Sequence, residues 1–272
     1  MPELPEVESV RRTLVDGTPS LLGAVVWNVD ILRASVVDGL STEQLRRQVE
    51  GATVHEVFRH GKYLFFRLSN ARGTNFCWMA VHLRMTGRLF LVSEESAIAP
   101  HTRFVLHLEN RQVLRFDDPR AFGRVWLVSD PAEVISRLGP DALAIGKDMF
   151  LQRLSGQRRQ LKPLLLDQSF VAGLGNIYVD ESLFRARLHP LQSVTGLRGD
   201  ERERLFAAVH EVLQQAVDCK GANIDGVFEA GNFPVAVYGR NGTPCPVCGS
   251  SIVKLRVAQR GTHLCPSCQP MN

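Results

Sequence analysis

The chain has 272 residues, 44% of them apolar and 22% charged, and a formal net charge of +4. It is long enough for two domains with cores of their own, and its mean hydropathy of −0.05 is that of an ordinary globular protein. With no repeat, low-complexity tract or apolar run of spanning length, the composition excludes disordered, fibrous and helical membrane classes. The N-terminus lacks the basic and then apolar run of an export signal, which points to a cytoplasmic protein.

In chain order, Glu3 to Asp16 places Leu4, Val7, Val10 and Leu14 at helical spacing before Gly17, which predicts an amphipathic helix. Short β-rich runs follow at 24–29, 53–58, 63–68, 76–82, 88–92, 104–108, 112–116 and 124–128, with turn residues between several of them. They predict an antiparallel sandwich or barrel. After Pro131 the periods become helical, with a break at Gly139-Pro140 and a clear apolar stripe of Leu205, Phe206, Val209, Val212, Leu213 and Ala216. The fold class is α+β. Residues 220–242 contain five glycines and no strong period, which reads as a mobile loop.

Six cysteines in a reducing compartment are better read as metal ligands and core thiols than as disulfides. Cys77 and Cys219 lie in apolar settings and read as core. Cys245, Cys248, Cys265 and Cys268 spell C-x2-C-x16-C-x2-C, the spacing of a four-thiolate zinc ribbon. Four protein ligands leave no open position, so one structural Zn2+ is expected. Between the pairs, 252–257 and 262–264 predict a β-hairpin with Gln259-Arg260-Gly261 at its tip. There Arg260 is either a solvated turn residue or a bidentate phosphate contact. Charge is asymmetric in the same sense: residues 240–272 carry four cations and no acid, while Glu3, Glu6, Glu8 and Asp16 crowd the other end.

Met1-Pro2-Glu3-Leu4-Pro5-Glu6 carries a second signal. A small second residue permits removal of the initiator Met and leaves Pro2 as a secondary amine. Because α-amino groups titrate near pH ~8, an appreciable fraction is nucleophilic at neutral pH, and a neighbouring carboxylate can shuttle protons.

The opening M-P-E-L-P-E-V-E, the segment Gly173-Leu174-Gly175-Asn176-Ile177-Tyr178 and the C-terminal four-cysteine finger together resemble the formamidopyrimidine-DNA glycosylase family, over essentially the whole chain. The resemblance implies a bacterial-type monomeric repair enzyme acting on damaged double-stranded DNA, with no membrane partner. It implies a catalytic β-sandwich at 1–130, a linker at 131–150, a helix-two-turn-helix domain at 151–240 and a zinc finger at 241–272. Pro2 is then the Schiff-base nucleophile, Glu3 the general acid/base, and β,δ-elimination cleaves the strand after excision of 8-oxoguanine or formamidopyrimidines. Lys62 and Arg260 complete the catalytic set. His101, Arg120, Asn176, Lys162, Met85 and Phe122 contact DNA.

Several of these residues have plainer readings. Asn176 alone is the N-cap of a helix over 177–187, whose exposed amides would make an anion site for a DNA phosphate. Lys62 alone is a solvated strand-end lysine. A base in a duplex must be flipped out before Pro2 can reach it, which calls for wedge residues on exposed loops. Met85 in 82–87 and Arg120 and Phe122 in 118–123 match the family's wedges, although by composition Met85 and Phe122 read as core. The chain departs from the family at Lys220-Gly221-Ala222-Asn223-Ile224-Asp225, usually Gly-Gly-Thr or Gly-Gly-Ser, and at Arg84, usually Gly. An endonuclease VIII-like enzyme for oxidised pyrimidines is the nearest alternative, although Leu4 argues against it. A zinc-ribbon protein that binds lesions without cutting is the other, and a retained Met1 would produce it.

Overall fold

A computed structural model describes residues 1–70, 73, 75–224, 226 and 230–271. The described residues form two compact units. The first contains Met1–Pro2, Glu6–Arg137 and the described part of 224–229, and the second contains Glu3–Pro5, Leu138–Asn223 and Ala230–Asn272.

In the first unit, strands β1 (Val26–Ile31), β6 (Thr102–Leu108), β7 (Gln112–Asp117) and β5 (Arg88–Ser93) form one antiparallel sheet in that order. Strands β2 (Thr53–His60), β3 (Tyr63–Ser69), β4 (Phe76–His82) and β8 (Arg124–Val128) form the other. All eight predicted runs are strands. Alternation puts Leu64, Phe66 and Leu68 of β3 in one core with Leu106 and Leu108 of β6 and Leu114 and Phe116 of β7, as a sandwich requires. Helix α1 (Leu4–Asp16) adds Val7, Val10 and Leu14 to this core, while Leu4 belongs to the core of the second unit. Helix α2 (Thr42–Val49), in the stretch between the predicted runs at 24–29 and 53–58 for which no element was expected, adds Leu45 and Val49. Its start is written in the sequence as a capping box: the Ser41 hydroxyl accepts from the Gln44 amide, and the Gln44 side chain accepts from the Ser41 amide.

A short helix α3 (Ala132–Ile135) closes the Glu6–Arg137 stretch of the first unit. The second is built from α4 (Lys147–Ser155), α5 (Leu161–Leu166), α6 (Asn176–Ala186), α7 (Gly199–Asp218) and the hairpin β9 (Val253–Val257)–β10 (Arg260–Leu264). The predicted stripe of α7 faces inward, with Phe206 only partly buried. Helix α6 is buried on every side from Ile177 to Phe184, so its acids Asp180 and Glu181 have no water to face and need partners within the fold. Among the described residues, 220–242 contain no helix or strand, and Asp225 lies outside the described residues. No helix among the described residues is long and apolar enough to cross a membrane.

Candidate active site and metal centre

The N-terminus of α6 organises the second unit. Its N-cap is Gly175 rather than Asn176, and the helix runs from 176 to 186. The expected anion site exists, but the chain fills it from within. The Glu3 carboxylate accepts from the Ile177 amide at 2.9 Å and the Tyr178 amide at 3.4 Å, where the helix dipole favours negative charge. The close approach that Gly-Leu-Gly allows is therefore to the protein's own N-terminal segment. A Cβ on Gly175 would lie 2.3 Å from Glu3 Cδ, and one on Gly173 2.5 Å from Leu4 Cδ1. The Leu4 amide donates to the Gly173 carbonyl and fixes the register of this contact.

Asn176, at the first helical position, donates from Nδ2 to the Gly261 carbonyl at 3.0 Å, and its Oδ1 is buried without a partner. Lys162, expected to touch DNA directly, is turned inward instead: it is 0% exposed, its Nζ 2.6 Å from Asp180 Oδ1, with a second bond to the same Gly261 carbonyl at 3.2 Å. Burial pulls this ammonium below its ordinary pKa, against the attraction of Asp180. Asn176 and Lys162 thus meet at one carbonyl, next in sequence to Arg260. The other Asp180 oxygen accepts from the His263 amide. Glu181 accepts from the amides of Ala236, Val237 and Tyr238, and burial pushes its carboxyl up despite them. Sequence reasoning missed Asp180 and Glu181, although two acids on an otherwise apolar helix are the available signal.

The hairpin turns at Ala258 and Gln259, both left-handed at φ 46° and 65°, so exposed Arg260 is the first residue of the returning strand, paired with Val257. Below it the four cysteines fit a zinc ion. Their sulfurs lie within 4.8 Å of one another, with Cys245–Cys268 at 3.9 Å and Cys248–Cys265 at 3.4 Å. A tetrahedral ion with Zn–S bonds of about 2.3 Å sets sulfurs about 3.8 Å apart. Amides of Val247 and Cys268 point at the sulfurs of Cys245 and Cys265, the hydrogen bonds that thiolates accept. Cys77 and Cys219, read as core, are half-buried.

In the first unit Pro2 is buried and Met1 precedes it. Lys62 is buried rather than solvated, in the turn after β2, where Gly61 takes φ 57°. Arg59 sets that turn, donating to the Gly61 carbonyl at 3.0 Å and to Glu8 at 3.2 Å. Burial opposes ionisation of Glu8, yet Arg11, Arg59 and Arg12 together hold its carboxyl below the usual carboxylate range. Phe122 is 46% exposed, which removes its reading as a core residue, and the Arg120 guanidinium lies 4.7 Å over its ring. Met85 is half-buried. His101 is exposed, and its carbonyl accepts from the Asp118 amide at the base of the Phe122 loop.

Residues 1–125 match the formamidopyrimidine-DNA glycosylase N-terminal domain, 138–226 the formamidopyrimidine-DNA glycosylase H2TH domain, and 242–270 the zinc finger found in FPG and IleRS. The chain belongs to the formamidopyrimidine-DNA glycosylase family. Members from Pelotomaculum thermopropionicum and Herpetosiphon aurantiacus, each named formamidopyrimidine-DNA glycosylase, are 40% identical to it; the alignments span 99% of this chain and 99% and 100% of theirs. Among solved structures, Lactococcus lactis Fpg with DNA containing an abasic site superposes with a TM-score of 0.89 at 32% identity, over 98% of this chain and 99% of that one. MutM in complex with DNA containing carbocyclic 8-oxo-G gives 0.89 at 33% identity, over 99% and 100%. The family's parts therefore account for both units and the finger.

Proposed function

We propose that the chain is a base-excision repair glycosylase and AP lyase that removes oxidised purines, 8-oxoguanine and formamidopyrimidines, from double-stranded DNA in the cytoplasm. The observation that carries this reading is the Glu3 carboxylate held on the first amides of α6, directly after a proline able to become the chain's terminal amine. With Met1 removed, the Pro2 nitrogen attacks C1′ of the flipped nucleotide. The base leaves with its bonding pair, and an iminium ion forms between Pro2 and the opened sugar. That cation acidifies the C2′ hydrogen, so loss of a proton there expels the 3′ phosphate, and a second elimination expels the 5′ phosphate. Glu3 is the carboxylate in position to move the protons, since its two amide bonds fix its oxygens without neutralising them.

The remaining residues divide the work of binding. Arg260, carried on a hairpin whose neighbouring carbonyl is gripped by Asn176 and Lys162, meets a backbone phosphate beside the lesion. Lys62 serves the same end from the first unit, in a turn set by Arg59. Met85, Arg120 and Phe122 fill the stack that the flipped nucleotide leaves. Zinc, bound by the four thiolates, folds the finger and takes no part in the chemistry. The test is borohydride reduction of mature protein on an 8-oxoguanine duplex. A covalent protein–DNA adduct is expected, formed far more slowly in Pro2→Gly, whose terminal primary amine is less well placed but can still condense with the sugar; wild-type protein that cleaves without an adduct would overturn the Schiff-base route.

A further inference from the structure

Two loops of the first unit, 83–87, exposed at Arg84, and 118–123, exposed at Pro119, Arg120 and Phe122, are far apart in sequence but share one anchor. Asp118 is fully buried. Its Oδ1 accepts from the Thr86 hydroxyl on the first loop and from the Arg120 amide on the second, and its Oδ2 accepts from the Gly123 amide at 2.7 Å. The Arg120 amide also reaches Thr86 Oγ1 at 3.3 Å, so hydroxyl, amide and carboxylate close one polar knot. The Asp118 backbone is tied down as well: its amide donates to the His101 carbonyl and its carbonyl accepts from Arg103 Nε at 2.8 Å.

Beneath the knot both loops end on the ring of Phe116. A Cβ on Gly87 would lie 2.8 Å from Phe116 Cε2, and one on Gly123 2.3 Å from Phe116 Cζ. Both loops also carry a strained residue, Arg84 at φ 57° and Ala121 at φ 52°. Left-handed backbone at a residue with a side chain persists when its surroundings over-determine it. For Arg84 the surroundings are visible: its amide is held by His82 Nδ1 at 2.9 Å.

We propose that Asp118 is a positioning residue that couples the two loops, so that Met85 on one and Arg120 and Phe122 on the other enter the base stack as a single preassembled wedge. The proposal rests on the reading of these side chains as wedges given above. Three side chains that enter independently must each be ordered as the base leaves. Mounted on one buried carboxylate they are ordered beforehand, and the flipped state forms at lower cost. Coupling of this kind matters where a stacked base has to be expelled and matters little at an abasic nucleotide, which has no base to unstack.

The cleanest cut is Thr86→Val, which removes the link between the loops and leaves Asp118 bonded to Arg120 and Gly123. We expect single-turnover excision from an 8-oxoguanine duplex, divided by cleavage of the same duplex with a preformed abasic site, to fall about tenfold, and Thr86→Ser to restore it within about twofold. An unchanged ratio in Thr86→Val, or a Thr86→Ser protein as impaired as Thr86→Val, would overturn the coupling. Amide exchange tests it without DNA. The Gly87 and Arg120 amides should exchange about tenfold faster in Thr86→Val while Gly123 keeps its protection, and unchanged protection of Gly87 and Arg120 would refute the link. A wild-type protein without glycosylase activity would overturn the proposed function alone, since the exchange measurement still decides the coupling.

Discussion

His82, at the end of β4, gives a prediction whose size follows from its surroundings. Burial first, then the nearby charges of Arg84 and Lys62, lower its pKa from 6.5 to about 3, against the opposing pull of a backbone hydrogen bond. Its Nδ1 accepts from the Arg84 amide, and its ring meets Tyr63 edge to face at 4.6 Å. In the unfolded chain the ring protonates at its ordinary value, so between the two pKa values the unfolded state binds more protons. The native state is then at full advantage above about pH 6.5 and loses it as pH falls toward 3. One pKa unit is worth about 1.4 kcal/mol, so between pH ~7.5 and ~5.5 this one group should weaken the first unit by about 1.4 kcal/mol. His82→Asn keeps an acceptor for the Arg84 amide and removes the titration. All three tryptophans, Trp27, Trp78 and Trp126, lie in the first unit, so their fluorescence during guanidinium denaturation reports that unit alone. The variant should lose about 1.4 kcal/mol less than wild type over that pH interval. Parallel losses in the two proteins would show that His82 protonates freely in the fold and would refute the reasoning.

The second unit yields three more. Gly175→Ala drives a Cβ into the Glu3 carboxylate, and displacing a charge-assisted hydrogen bond worth about 1.5–3 kcal/mol should slow borohydride trapping by about 10- to 100-fold; an unchanged trapping rate would remove Glu3 from the mechanism. Lys162→Met strands the buried Asp180 carboxylate and should destabilise this unit by about 3–5 kcal/mol in far-ultraviolet circular dichroism, whereas a loss confined to DNA affinity would show the ammonium working outward. Removing zinc with a chelator, or Cys248→Ser, should unfold the hairpin and weaken duplex binding, with metal analysis giving one zinc per chain before treatment and none after it.

The strands of the first unit were legible because they are short runs rich in β-branched and aromatic residues, such as β3 with three consecutive buried residues Leu64, Phe65 and Phe66, and several of the turns between them are marked by Asn and Pro. The finger was legible because four thiols at fixed spacing state their own geometry. Helix α2 was missed by a reading that looked for apolar periods alone: its eight residues present only Leu45 and Val49 to the core, and the signal lies in the Ser41–Gln44 cap. At the site, residue types could be read but not the direction of their side chains. Asn176 reads as a phosphate ligand and Lys162 as a DNA contact near the lesion, and neither reading discloses the partners the fold supplies, Asp180 for Lys162 and the Gly261 carbonyl for Asn176, 18 and 85 residues away. The helix N-terminus was read correctly as a place for an anion. Which anion depended on an approach made 174 residues earlier in the chain, by Glu3, and no local pattern encodes that. Phe122 errs in the other direction: apolar composition suggests burial, and exposure on a loop is what a wedge requires.

Within two turns α6 receives the N-terminal carboxylate at its first amides, the finger through Asn176 and Asp180, and the segment before the finger through Glu181. The helix acts as an indexing pin for three distant stretches of chain. Each further residue turns an α-helix by about 100° and lengthens it by about 1.5 Å. One residue inserted between Asn176 and Asp180 would leave Glu3 in place while swinging Asp180 and Glu181 away from the finger and its leader. Length in this short stretch is therefore less free to vary than composition, and drift in the enzyme should proceed here by substitution alone.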